Sequence, residues 1–289
     1  MGALFALTAF FSWGVGDFLI QKSTRKFGDW ISLFYICAFG GIALLPFVWS
    51  DIPALFGPAA RGDLILLFVT SLVSTASALL LFESLKEGKL AVVEPIFAFE
   101  IVVTAVFAAA FLGESVSFPQ AGVIALMVAG IALLSLSSLS HLKKLKFEAG
   151  VILAVVTTAC MGAENFMFGF SSRETSPLIV NWFTGVVMAL ITGGYILMRV
   201  GPREIVSDIR RRPALILWTS ALDTLGWVAY SYSMTLLPLA VATGISEGYI
   251  ALAVSLGLTF NKEKIKKHQV IGLILTIAAA IALSIMVES

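Results

Sequence analysis

Charge is the first thing this chain lacks. Asp, Glu, Lys and Arg make up 13% of its 289 residues, where a soluble domain carries about 25%. That scarcity excludes an ordinary water-facing surface, and with a net charge of +1 no nucleic-acid partner is expected. Cysteine is nearly absent as well. Cys37 and Cys160 both fall inside apolar runs, which offers neither a disulfide framework nor metal-ligand spacing; small packing residues are the expectation for both. The two histidines, His141 and His268, fall in loops, and no HExxH or GxSxG motif occurs. An intramembrane enzyme would need a nucleophile–base pair or a metal cluster, so neither catalysis nor a cofactor is expected. The N-terminus, MGALFALTAFFSWGVGDF, has no basic n-region and no clear cleavage site; it reads as a first membrane helix and not as a signal peptide.

What takes the place of charge is apolar: 59% of the residues are hydrophobic and the mean hydropathy is +0.98. The apolar residues come in runs of about 20, the length that crosses a bilayer. Ten spans are predicted, near 2–21, 30–49, 63–85, 90–112, 119–139, 149–170, 177–198, 214–236, 240–260 and 269–287. All should be helices, because lipid leaves the backbone few other ways to satisfy itself. Pro, Gly or charge marks the breaks between them, as at Pro53 and Pro58, Gly88, Pro119, Pro177, Pro213 and Pro238. The chain is expected to be an integral multi-pass protein of the cell (inner) membrane.

The spans repeat. Residues 90–114 laid over 239–263, an offset of 149, match without a gap at Leu90, Ala91, Val92, Ile96, Ile101, Phe111 and Glu114. Their counterparts are Leu239, Ala240, Val241, Ile245, Ile250, Phe260 and Glu263. Internal similarity at a fixed offset points to one unit written twice, with a first repeat over 1–140 and a second over 149–289. Five spans per unit is odd, so each copy enters the membrane from the opposite side. The fold expected is all-α, ten transmembrane helices as two inverted five-helix repeats, with a site between them near the midplane. Spans 5 and 10 carry no acid or base in their cores and contain small residues, among them Gly122, Gly130 and Gly272; they read as scaffold, with a homodimer surface as the alternative.

The bases give an orientation. Of the 19 Lys and Arg, all but Arg61 and Arg173 fall in the odd-numbered loops. By the positive-inside rule those loops are cytoplasmic and both termini lie outside.

The acids give a site. Asp17 lies in span 1, Glu94 and Glu100 in span 4, Glu164 and Asn165 in span 6, Asp223 in span 8 and Glu247 in span 9. No Lys or Arg lies at comparable depth. An ionised acid at a helix centre costs about 2.5–3.5 kcal/mol, so these residues should face a wet cavity or carry a proton. Asp17, near the end of its span, could instead pair with Lys22, and Glu94 with Lys89; Glu100, Asp223 and Glu247 lie deeper and are the stronger candidates. Trp13, Trp182, Trp227, Tyr230 and Tyr249 accompany them and would line a cavity with rings that attract cations, although Trp and Tyr also gather at membrane interfaces. Pro95 and Gly244 occupy equivalent places in the two copies and are the candidate hinges.

With these residues in view the chain resembles the drug/metabolite transporter superfamily, EamA type. Phe11 to Gly14 (FSWG), the run Leu90 to Pro95 and Phe111 to Glu114 (FLGE) carry the resemblance; Cys160 to Asn165 (CMGAEN) and Asn261 to Glu263 (NKE) are the weaker second copy. The resemblance implies a proton-linked or facilitative carrier of small metabolites, often an exporter, with a central cavity. Such proteins generally look N-terminus-in, the reverse of the charge pattern here. A cavity with acids and no bases favours a cationic or amine-bearing substrate, a proton, or both, since anions such as phosphates want Lys or Arg. The alternatives are an intramembrane enzyme or a non-transporting membrane partner or receptor.

Overall fold

A computed structural model describes residues 1–87, 96–135, 149–199, 208–260 and 266–288. Helix is the regular structure throughout, and no strand occurs among the described residues. The first half holds α1 (Gly2–Phe27), α2 (Asp29–Val48), the short α3 (Ile52–Leu55) with a 3-10 turn (Pro58–Ala60), α4 (Arg61–Glu87), α5 (Glu100–Leu112) and α6 (Phe118–Ser135). The second half holds α7 (Ala149–Glu174), α8 (Pro177–Arg199), α9 (Pro213–Leu236), α10 (Leu239–Glu247), α11 (Tyr249–Phe260) and α12 (Lys267–Glu288). Pro177 and Pro213 open their helices, where a missing N–H is no loss.

Six of these helices are long and apolar enough to cross a membrane: α1, α2, α4, α7, α8 and α12. Two of the expected spans differ from a plain apolar helix for identifiable reasons. In α9, Asp223 and the buried hydroxyls of Thr219, Ser220, Ser231 and Ser233 lower the hydropathy without exposing those groups to lipid. Span 9, expected as one helix, is two, joined at Gly248. A side chain there would press into the Phe10 ring of α1, so only glycine admits this approach. Gly244, a candidate hinge, lies one turn earlier inside the regular helix α10; the break itself is at Gly248. In the first half the described break falls at Ala98 and Phe99, just before α5. Pro95, the other candidate hinge, lies outside the described residues. The helices that follow the two breaks begin at Glu100 and Tyr249, separated by the same 149 positions as the sequence repeat.

The two halves are built into each other. The most extensive packing joins α1 to α9, α6 to α12, α2 to α8 and α4 to α7, each a first-half helix against a second-half one. Exchanging the halves maps this set of pairs onto itself. In the α6–α12 pair, Gly130 lies against Thr276 and Gly272 against Leu134, so closely that a Cβ on either would overlap backbone. Small residues there bring two helix backbones together. Side chains such as Ile42, Phe47, Ile65, Leu190 and Leu197 point outward and are exposed, as expected where lipid is the solvent.

Candidate functional site

Between the halves lies a cavity of about 240 Å³. It draws its walls from α1, α2, α4, α5, α7, α8, α9, α10 and α11, so every long-range helix pair but the α6–α12 scaffold contributes. Five carboxyl groups line it: Asp17, Glu100, Glu164, Asp223 and Glu247. No Lys, Arg or His is among the described lining residues.

The two helix breaks position the most buried pair. Glu100 is the first residue of α5, and Glu247 is the last of α10. Their carboxyl groups lie within hydrogen-bonding reach of each other, and both residues are buried. Glu100 Oε2 has no partner. Asp17 of α1 and Asp223 of α9 are neighbours across the most extensively packed helix pair of the bundle. Glu164, halfway along α7, is close enough to act on both groups electrostatically. Ser74 and Ser77 of α4 face it, but neither hydroxyl reaches hydrogen-bond geometry with any group. Asn165 lines the cavity beside Glu164 and is buried.

Trp13 is the hub of the aromatic wall. Its ring lies 5.1 Å from those of Trp227 and Tyr230 and 5.7 Å from that of Tyr249, all edge-on. Gly226 leaves room for the indole against α9. Trp13, Trp227 and Tyr249 reach the cavity. Tyr230 does not: it is fully buried behind them and shares a 2.7 Å hydrogen bond with Thr243. Trp182 also stays outside the lining and packs against the main apolar cluster, its indole N–H without a partner. Ser74, Ser77, Thr184 and Asn181, none of them a site residue predicted from the sequence, line the cavity too. The run TSLVSTASA at 70–78 was a legible signal, since hydroxyls at 70, 71, 74 and 77 share one helix face. Cys37 lies in the wall rather than only in packing.

One end of the bundle is tied by an ion pair. Arg173, at the end of α7, pairs with Glu114 and donates to the carbonyls of Met234 and Leu237 at 2.8 Å. The other Glu114 oxygen accepts the Leu239 N–H, 2.7 Å away, at the start of α10. Val48, Leu55, Leu67, Val180, Met234 and Leu237 pack in one buried cluster at this end, where the even-numbered loops lie. At the other end, among the described residues, Ile31, Tyr35 and Ile196 form one buried cluster and Phe97 and Ala154 another.

A cavity held between two interlocked halves is a carrier's geometry, and the comparisons agree with it. Residues 1–136 and 148–285 each match the model of the EamA-like transporter family. The chain belongs to that family. EamA-like proteins are membrane transporters, so this is a multi-pass integral membrane protein of a family that moves small molecules. A search of curated proteins finds no match. Among 28 matching chains of solved structures, one titled "Crystal structure of protein" superposes with a TM-score of 0.72 at 14% identity, over 99% of this chain and 97% of that one. At that identity the likeness speaks for the EamA fold alone.

Proposed function

We propose that this EamA-like protein is a secondary active transporter that exchanges protons for a small cationic, amine-bearing metabolite by alternating access. The observation that carries the reading is the cavity wall: five carboxyl groups and, among the described lining residues, no base. An anionic substrate would find no charge-assisted partner there, whereas a cation meets carboxylates and the aromatic faces of Trp13, Trp227 and Tyr249. A hydrogen bond between the carboxyls of Glu100 and Glu247 needs one proton between them. A cation arriving beside the pair favours its fully ionised form and expels that proton, so one site serves both cargoes. Glu247 is the leading proton carrier, because it sits at a helix break where backbone and water can rearrange. The paired breaks at Ala98–Phe99 and Gly248 give the two repeats places to bend as they rock around the site.

The even-loop end is the one tied by Arg173 and Glu114. With the base-rich odd loops in the cytoplasm, this form would load from the cytoplasm, the direction of an exporter in the inner membrane. The test is transport in proteoliposomes under an imposed pH gradient. Primary amines added on one side should drive protons across the membrane toward that side; organic anions should not. Proton movement that is the same with and without amine would sink the proposal.

A further inference from the structure

One face of α4 carries four hydroxyls with two different fates. Thr70 bonds Ser171 of α7 at 2.7 Å and the carbonyl of Leu66 at 2.9 Å. Ser71 bonds Thr184 of α8 at 3.3 Å and the carbonyl of Leu67 at 2.7 Å. One and two turns further on, Ser74 and Ser77 do not bond the carbonyl one turn back that their neighbours use, and the Glu164 carboxyl is the one group they face. Both are 1% exposed. A buried hydroxyl left unpaired is costly, and a helical serine can nearly always relieve that cost locally. These two instead point at the cavity and at the Glu164 carboxyl.

We infer that Glu164, Ser74 and Ser77 form a subsite for a primary ammonium group. A primary ammonium has three N–H donors and no acceptor. Here it meets three acceptors converging from two helices: one carboxylate oxygen and two hydroxyl oxygens. The carboxylate supplies the charge, and the serines count the hydrogens. Each methyl group on the nitrogen removes one donor and sets a carbon against an oxygen that then stays unpaired in a buried site. The subsite therefore selects primary amines over their N-methylated analogues. Asp17 and Asp223, from α1 and α9, and the Glu100–Glu247 pair remain for the proton and for any second charge. This inference rests on the cationic-substrate reading and narrows it to one nitrogen class.

The experiment is a binding series on the purified full-length protein: phenethylamine, its N-methyl and N,N-dimethyl derivatives, and the N,N,N-trimethyl cation. All four share the ring that the aromatic wall would take. Wild type should bind phenethylamine tightest and lose about tenfold in affinity with each donor removed, the weight of one hydrogen bond to a charged group. Ser74→Ala and Ser77→Ala should each shrink the ratio of primary to quaternary affinity by about tenfold, and the double variant by about a hundredfold, leaving the share that Glu164 sets. Neither hydroxyl holds a backbone carbonyl, so both variants should fold. If wild type binds all four equally, or if the double variant keeps the full ratio, the subsite is overturned while the cationic reading stands. If wild type binds none of the four, both fall.

Discussion

Glu247 and Trp13 are the residues on which the site turns. Glu247→Gln keeps the shape of the side chain and removes its titration. The variant is expected to lose amine-driven proton movement and to retain amine exchange through the remaining acids, as read by a pH-sensitive dye alongside labelled amine in the same vesicles. Full proton-coupled transport in the Gln variants of Glu100, Asp223 and Glu247, each tested singly, would remove the coupling reading. Trp13 contributes in another way. Its indole touches three aromatic rings and lies against Gly226, so truncation empties the junction between α1, α9 and α11. Trp13→Ala should cost about 3–5 kcal/mol, visible as a lowered unfolding temperature in detergent. Trp13→Phe should restore most of that loss, and a Trp13→Ala variant as stable as wild type would contradict this packing role.

At the scale of elements, the Arg173 tie and the Gly248 break make separate predictions. Arg173 joins the ends of α7, α5 and α9 and the start of α10 through one guanidinium and one carboxylate. Arg173→Ala leaves Glu114 and two carbonyls without that donor and should loosen the even-loop end. Cys37, in the cavity wall, is a native reporter. In a Cys160→Ser background, a membrane-impermeant maleimide added from the even-loop side should label Cys37 about tenfold faster in the Arg173→Ala variant. An unchanged rate would mean that the apolar cluster alone seals that end. At Gly248 the limit is steric. An added methyl would meet the Phe10 ring, so Gly248→Ala should destabilise by about 1–3 kcal/mol through overpacking. Trimming Phe10 to Leu in the same chain should relieve part of this; a stability loss unaffected by Phe10→Leu would place the strain elsewhere.

For the whole molecule the open question is which way up it sits. Charge is a weak fold signal but a strong topological one: only Arg61 and Arg173 lie in even loops, and the Arg173 charge is neutralised by Glu114. Reporter fusions at the two termini should therefore both read out as non-cytoplasmic. A cytoplasmic C-terminus would reverse the orientation and, with it, the export direction proposed for the form closed at the even loops.

Hydropathy, the offset of 149 and the placement of Pro, Gly and charge determined by themselves that this is a helical membrane protein written as two units, because lipid permits few other backbones and a repeated unit repeats its breaks. They also set which acids were candidates: a carboxylate in an apolar run demands a reason wherever it lies. Asp17, Glu100, Glu164, Asp223 and Glu247 were all legible on that ground, as were Trp13, Trp227 and Tyr249. Only the tertiary structure decided which of them meet. Glu100 and Glu247 are far apart in the chain and become partners through the packing of α5 on α10. Tyr230 had the same polar neighbourhood in sequence as Trp227, yet α9 turns its hydroxyl away toward Thr243. The break at Gly248 rather than Gly244 depends on where the Phe10 ring of another helix arrives. Ser74 and Ser77 look like Thr70 and Ser71 until the neighbours of α4 are known; whether a buried hydroxyl finds a partner is a property of the helix beside it, which no local pattern encodes.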